Sequence, residues 1–508
     1  MARIVVVGAG VGGLATALFA SRSGHHVTIV ERDDTPLPTD PDGAFDWDRH
    51  GAPQVRHSHA FLARLRNLLR DRHPDVLDAL FAAGATELRF MDMLPEHMDR
   101  TPQQGDEDLV ALACRRTTFE WVLRRIVTAS NGIEIMHGTP VTALRALRPA
   151  AGTDLTGTPT VTGVVLSDGT TLDADVVVGA GGRRMDVPAL LGEVGATIEE
   201  TTEDTGIIYM SRFFRLLDGA EFPPQVGPIG GDLGYLRYGV FPGDNRTFSV
   251  TLAIGTDDGE LRRLLVDDDT FLTVAGALTA TAPYVESDRS EPITGVEVMG
   301  GLINRRRRFL DDEERPCVLG FHVVGDAHTA TNPLYGRGCS LAMVQAQLLV
   351  DLLAVHGATT TGSHVERSIA YEYASDVEII PWYQAAVDMD RLARSAAITA
   401  AVPAADTAVD THPSAESAAT DDAGPIDPVE LARSILHEGL LPAMRSDPVV
   451  LRAFLRMFNL LTPPDALITD PDIVGRVMAV YASKDDRPPE PDLGPDRAGL
   501  LAAIHTHR

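Results

Sequence analysis

The sequence predicts an α/β fold: a Rossmann-like nucleotide-binding domain, a β-sheet domain set against it, and a helical C-terminal region. Three observations carry this. The β-branched run 3–7 leads into a glycine-rich turn, a helix-compatible stretch from Leu14 to Ser23, a closing Gly24 and a second apolar strand, Val27–Val30. Ile207–Phe214, Leu233–Phe241 and Phe248–Ile254 mix aromatics with period-two alternation, the pattern of a sheet with one covered face. Near the end, Asp447-Pro448 and Asp470-Pro471 each supply an N-cap followed by a proline at the first helical position. At 508 residues the chain also exceeds the size at which one hydrophobic core stops growing, so two packed units are expected.

The remaining elements follow in order. Ile133–Met136, Val141–Leu147, Val161–Leu166 and Thr170–Leu172 read as a small antiparallel meander, with Ser167-Asp168-Gly169 as a turn. The apolar strand Val176–Val178 then ends in Gly179-Ala180-Gly181-Gly182. His322–Val324 is a further apolar strand, and Leu341–Val355 has helical periodicity with Gly357 at the C-cap position. The stretch 400–428 is dominated by Ala, Thr, Ser, Asp and Pro, which bury too little apolar surface to offset ordering entropy, and it reads as a linker. Beyond it, Leu451, Phe454, Leu455 and Phe458 share a helix face expected to dock on the main body.

Composition excludes several functions. A formal charge of −28, from 44 basic and 72 acidic residues, repels phosphate backbones and anionic membranes, and Arg305–Arg308 is too short a run to reverse it; nucleic acid is not an expected partner. Cys114, Cys317 and Cys339 suit neither a disulfide framework nor a zinc site, so a reducing cytoplasm is expected. The first twenty residues are as apolar as a signal peptide, but four glycines interrupt them and a second strand follows at βαβ spacing. No stretch approaches the ~18 unbroken apolar residues of a membrane span, so membrane insertion is not expected. His57 and His59 have no nearby carboxylate or cysteine cluster to complete a metal site, and no metal is expected.

The glycines carry the chemistry. Gly8, Gly10 and Gly13 match G-x-G-x-x-G between a strand and a helix: a tight turn, a close backbone approach to pyrophosphate, and close helix–strand packing. The helix N-terminus offers free N–H groups to phosphate, and Glu31, about twenty residues on, is placed to accept from a ribose diol. These features do not choose between NAD and FAD. Downstream, Gly325-Asp326 follows an apolar strand, and Gly336 and Gly338 open the Leu341 helix. Asp326 suits ribityl hydroxyls and the helix end suits the anionic N1–C2=O edge of a reduced flavin, which favours FAD.

With these motifs in place, the chain resembles the flavoprotein monooxygenases of the para-hydroxybenzoate hydroxylase fold, whose FAD domain is of the glutathione-reductase type. The matching segments are Gly8-Ala9-Gly10-Val11-Gly12-Gly13, Gly325-Asp326-Ala327-His328, and Asn332-Pro333-Leu334-Tyr335-Gly336-Arg337-Gly338. Cys114 to Glu120 resembles the family's helix opening with a phosphate-facing arginine, by register Arg116, with Arg115 as the alternative. Gly51 to His59 is most similar to a loop of bacterial polyketide and polyether epoxidases and hydroxylases, and implies that Arg56 lies near the flavin.

The FAD-contacting set implied is thus Gly8, Gly10, Gly12, Gly13, Glu31, Arg32, Arg56, Arg116, Gly325, Asp326, Pro333, Gly336 and Gly338. The implied layout has FAD-binding segments at 1–75, 111–190 and 301–360, and substrate-domain segments at 76–110 and 191–300. A helical segment at 361–399, the linker 400–428 and a helical region 429–508 complete it.

The activity implied is insertion of one oxygen atom from O2, by epoxidation or hydroxylation through a flavin C4a-hydroperoxide, into a small hydrophobic polyketide-, terpenoid- or aromatic-type substrate. Tyr209, Phe214, Tyr235, Tyr238 and Phe241 are candidates to wall its pocket. No catalytic acid or base is identified. The family's Asp-Gly after the Val176 strand is replaced by Gly181-Gly182-Arg183-Arg184, which leaves open whether NAD(P)H docks directly or a reductase partner supplies electrons. A homodimer is also left open. A halogenase of the same fold would need an active-site lysine, and the one lysine is Lys484, in the tail. An olefin or prenyl-chain reductase, and a non-catalytic FAD-binding protein, remain the alternatives.

Overall fold

The computed structural model describes residues 1–147, 157–224, 229–401, 428–483 and 486–507; the expected linker, 400–428, lies almost wholly outside them. The strands β1 (Arg3–Val7) and β2 (His26–Glu31) flank the helix α1 (Val11–Arg22). They join a five-stranded parallel sheet in the order Phe321–Val323, Val176–Gly179, β1, β2, Ile133–His137. Valine-rich strands suit it because both faces are covered. On one face α1 and the helix Gly338–His356 pack Leu14, Leu18, Met343 and Ala346 into the largest core. The other face is covered by Val164, Leu166, Val187 and Leu191.

One expectation is corrected here. Ile133–His137 does not belong to the meander: it pairs parallel with β2, from Val27↔Ile133 to Glu31↔His137. Gly138, with φ +69°, and Pro140 then break the strand, so the meander has three members: Val141–Leu147, Thr160–Leu166 and Thr171–Asp173. Among the described residues one helix, Gly338–His356, is long and apolar enough to cross a membrane, and two-thirds of it is buried inside the fold.

The second sheet is antiparallel, in the order Gly230–Asp232, Arg237–Pro242, Thr247–Gly255, Ile207–Leu216, Ser290–Pro292. Its back face packs Met210, Phe214, Tyr238 and Phe248 against Phe271 and Val274 of the helix Asp268–Ala277. Its front faces the nucleotide domain. Asp244 pins the two domains together, accepting from the Arg115 guanidinium at 2.6 Å, the Arg115 backbone N–H at 2.7 Å and the Thr118 hydroxyl at 2.9 Å. Burial works against this carboxylate, yet those bonds hold it below its usual range.

The described residues from 428 onward contribute to three clusters. Ala443, Val450, Leu467, Ile473 and Val477 form a small cluster of their own, tied to the main body by the Arg452–Asp106 ion pair at 3.0 Å and by Asn459, which accepts from the Ala63 N–H. Leu451, Phe454, Leu455 and Phe458 are only half-buried, while Val450 and Arg452 are the fully buried members of their helix. Phe454 packs in the C-terminal cluster, whereas Phe458 packs against Leu62, Leu341 and Trp382 of the main body. The final helix, Arg497–His507, leaves this unit and buries Leu500 and Ile504 in the back-face core of the second sheet.

Candidate functional site

The nucleotide turn is built by sterics. Gly8 has φ +107°, and a Cβ there would sit 2.7 Å from the Ala180 carbonyl oxygen; a Cβ on Gly13 would collide with the Gly8 carbonyl. Gly10, between them, has no atom within 4 Å of where its Cβ would be, so the turn presents an open backbone face. Glu31 braces the turn: one oxygen accepts from the Ala9 N–H at 2.8 Å, the other from the Asp33 N–H at 3.0 Å.

Around this turn lies a buried charge network. Arg116 pairs with Glu120 at 2.8 Å and donates to the Cys339 sulfur at 3.1 Å. Arg49 meets the other Glu120 oxygen at 2.8 Å, and both Arg49 and Arg124 reach the Ala9 carbonyl. Desolvation opposes the Glu120 charge, but Arg49 and Arg116 keep its pKa below the ordinary value; burial and then Arg49 lower that of Arg124. The Nε–H groups of Arg49, Arg116 and Arg124 are all buried without a hydrogen-bond partner among the described residues.

Sequence reasoning found Arg116 and missed the other three. Arg116, Glu120 and Arg124 recur every four residues on one helix, a spacing that would have shown two cations flanking an acid. Arg49 carried no such signal. Arg115, the alternative to Arg116, is committed to Asp244. Arg32 and Arg56 are exposed: Arg32 reaches only the Gly51 carbonyl at 3.4 Å, and Arg56 has no polar partner among the described residues. The loop after β2 therefore brings Arg49 to the turn, not Arg56, because Arg49 is buried against Trp47 while Arg56 ends an exposed short turn.

A second cluster forms where the Gly338–His356 helix begins. Gly336 has φ +66°, and a Cβ there would come within 2.8 Å of the Ala60 Cβ, so the loop 57–60 lies directly on this turn. Pro333 opens the turn, and Asp326 lies beside Gly338. Gly325 donates its N–H to Gln345 at 2.7 Å. Arg183, which follows Gly181-Gly182, pairs with Asp326 at 3.1 Å and donates to the Thr331 carbonyl. Ser58 bonds Ser249 and Thr251 of the second sheet at 2.7 and 2.6 Å, and the His57 ring meets the Tyr209 ring edge-on, centroids 5.1 Å apart. Burial lowers His57 to about 4; burial and the neighbouring Arg116 lower His59 to about 3. Both imidazoles are neutral at pH 7. Among the described residues no group of His, Cys, Asp and Glu is arranged to hold a metal.

Comparisons with known proteins fit this geometry. Residues 3–45 match the family model described as pyridine nucleotide-disulphide oxidoreductase. No curated protein matches the chain by sequence. Among solved structures it is similar to pqsL, a probable FAD-dependent monooxygenase from Pseudomonas aeruginosa, at 17% identity and TM-score 0.51 over 78% of this chain and 96% of that one. The anhydrotetracycline hydroxylase OxyS from Streptomyces rimosus aligns at 18% identity and TM-score 0.53, over 91% and 76% of the two chains. The flavin-dependent brominase Bmp2 aligns at 14% identity and TM-score 0.57, over 95% and 99%. The chain shares the fold of these flavin-dependent enzymes.

The residues present fit the FAD that this fold implies. Arg49 and Arg124 reach the Ala9 carbonyl next to the open Gly10 face, and these two and Arg116 each keep one buried Nε–H without a partner among the described residues, donors of the kind a diphosphate accepts from. Of the aromatic candidates, strand register separates the useful from the merely buried. Tyr209 and Phe241 lie on the front face, with Ser211, Phe213, Ser249 and Thr251 as neighbours. Phe214 and Tyr238 are corrected to core residues of the back face, because neighbouring positions on a strand point to opposite sides. Tyr235 also belongs to the back, its hydroxyl bonded to the Pro495 carbonyl at 2.7 Å. Along the front, Phe213 packs against Phe45, centroids 5.3 Å apart, beside a cavity of about 410 Å³ lined by Asp42, Gly43, Phe45, Asp46, Arg215 and Ile293. Six residues of strand, about 20 Å, separate that end from Tyr209.

Proposed function

We propose that this protein is an FAD-dependent monooxygenase that inserts one oxygen atom from O2 into a bulky, weakly charged organic substrate of polyketide, terpenoid or aromatic type. The observation that carries the reading is the convergence of two clusters from distant segments. One is a charged cradle at the glycine turn, and the other is a helix start covered by the loop 57–60, whose Ser58 and His57 meet Ser249 and Tyr209 of the second sheet. Bound FAD, once reduced, would supply the activation of dioxygen.

The chain's own residues have separable tasks in this reading. Arg49, Arg116 and Arg124 would hold the diphosphate, Glu31 the ribose, and Asp326 the ribityl hydroxyls. The free N–H groups in the first turn of the Gly338–His356 helix would favour negative charge on the bound flavin. The loop 57–60, hydrogen-bonded to the second sheet, keeps water from the reacting face. No side chain is assigned as acid or base, since olefin epoxidation requires none. The similarity in fold to a protein named for hydroxylating anhydrotetracycline supports a substrate of that bulk. Electrons come from NAD(P)H, directly or through a reductase.

Two experiments test this. Arg116→Ala should weaken FAD binding by about 1.5–3 kcal/mol, the contribution of a charge-assisted hydrogen bond, read by fluorescence titration of the apoprotein. Single-turnover oxidation of a polyketide- or terpenoid-like olefin under labelled dioxygen should place one labelled atom in the product. A saturated product formed without oxygen would establish an olefin reductase instead.

A further inference from the structure

The turn 332–338 is held by a carboxylate that no motif contains. Asp390, on the helix Ile380–Ala401, is 1% exposed and accepts from three donors: the Asn304 amide at 2.7 Å, the Asn332 amide at 2.8 Å and the Tyr335 hydroxyl at 2.7 Å. The amides pass the constraint to the backbone. The Asn304 side-chain oxygen accepts the Asn332 N–H at 2.7 Å, and the Asn332 side-chain oxygen accepts the Leu334 N–H at 3.0 Å. A carboxylate offers acceptors only, so it orients both amide groups and thereby both backbone bonds. Burial, and then Asp390, push the Tyr335 phenol far above its usual range, so it stays a donor. The next charged residue, Arg337, is buried between the Tyr335 and Trp382 rings, 5.0 and 4.9 Å from their centroids. Burial lowers it to about 10, with Tyr335 and Asp390 partly offsetting that. One buried carboxylate therefore fixes the backbone at Asn332 and Leu334 and the side chain of Tyr335, immediately before the Gly338–His356 helix begins.

We propose that Asp390 is a positioning residue that sets the reduction potential of the flavin, an inference that rests on the cofactor reading above. The dipole of a helix end acts only over its first turn, so its effect on a flavin edge depends on where the turn holds that helix start. Gly336 in the same turn lies against Ala60 of the loop 57–60, so the constraint also reaches that loop. Asp390→Asn would set an amide NH2 against groups that are all donors, and the turn would shift. Tyr335→Phe removes one donor and leaves the amide pair in place.

The test uses FAD-loaded protein and reads the flavin midpoint potential, sulfite affinity, FAD content and thermal midpoint for wild type and both variants. Asp390→Asn is expected to bind sulfite at least tenfold more weakly, with a potential about 30 mV more negative, the two-electron equivalent of that factor. Tyr335→Phe should fall between it and wild type. A lowered thermal midpoint with unchanged potential and sulfite affinity would overturn the proposal, since a purely structural carboxylate would give that result. If Asp390→Asn does not fold or loses its flavin, Tyr335→Phe decides by the same readouts. A wild type that retains no FAD overturns the cofactor reading and this inference with it. FAD-bound variants with wild-type potentials overturn this inference alone.

Discussion

On the strand Ile207–Leu216, Met210 and Phe214 enter an apolar core with Phe248, Phe271 and Leu500, whereas Tyr209, Ser211 and Phe213, one residue away, face the nucleotide domain among serines and threonines. The two faces share a backbone and an aromatic-rich composition yet perform different work. The back is ordinary close packing, completed by the C-terminal helix. The front turns the hydroxyls of Ser249 and Thr251 and a half-buried Phe241 outward, and the hydroxyls bond Ser58 of the loop 57–60, which carries two neutral histidines. Aromatic content alone therefore does not mark a substrate wall; the parity of the position does.

That contrast is open to direct attack. The largest expected effect is on the back: Phe248→Ala should cost about 3–5 kcal/mol in urea unfolding, because it empties a fully buried site, with flavin content per folded molecule unchanged. A loss of FAD affinity comparable to that of Arg116→Ala would break the separation of the faces.

Next comes a pH effect on the front. His57 is buried, and its pKa is lowered from 6.5 to about 4, so the unfolded chain takes up a proton before the folded one does. Its stabilising contribution is complete above pH 6.5 and is lost as pH falls from 6.5 to 4, by up to about 3 kcal/mol. His57→Gln should flatten the acid limb of stability between those values; an unaltered limb would show that His57 is hydrated.

A smaller effect, about 1.5–3 kcal/mol in FAD affinity, is expected for Asp326→Ala relative to the surface control Asp34→Ala. Equal flavin retention in the two would detach Asp326 from the cofactor. The smallest concerns Tyr209→Phe, which removes a hydroxyl contact to the Met299 sulfur and should change stability by less than about 1 kcal/mol. If the front face binds substrate, KM should move while the thermal midpoint does not.

How legible a residue was in the sequence followed the range of the interaction that fixes it. The glycine turn could be read because its constraint lies within a few residues: Gly13 approaches Gly8, and Glu31 reaches Ala9 across one βαβ unit. The N-caps Asp447 and Asp470, each accepting from N–H groups two and three residues on, were legible for the same reason. Arg49 was not, because its value comes from Glu120, seventy-one positions away. Asp390 was not either, since its three partners lie 55, 58 and 86 residues back. The strand Ile133–His137 has a meander-like pattern, and only its parallel partner β2 assigns it to the central sheet.

By itself the sequence determined the α/β class, the nucleotide turn, the apolar strands and the capped helices, since these follow from backbone sterics and short-range periodicity. Only the tertiary structure decided which of Arg49, Arg56, Arg115 and Arg116 meet at the turn, which aromatics face forward, and which carboxylate holds the helix start. Those outcomes depend on docking between segments far apart in the chain, where burial leaves each charged group the one set of partners that compensates its desolvation.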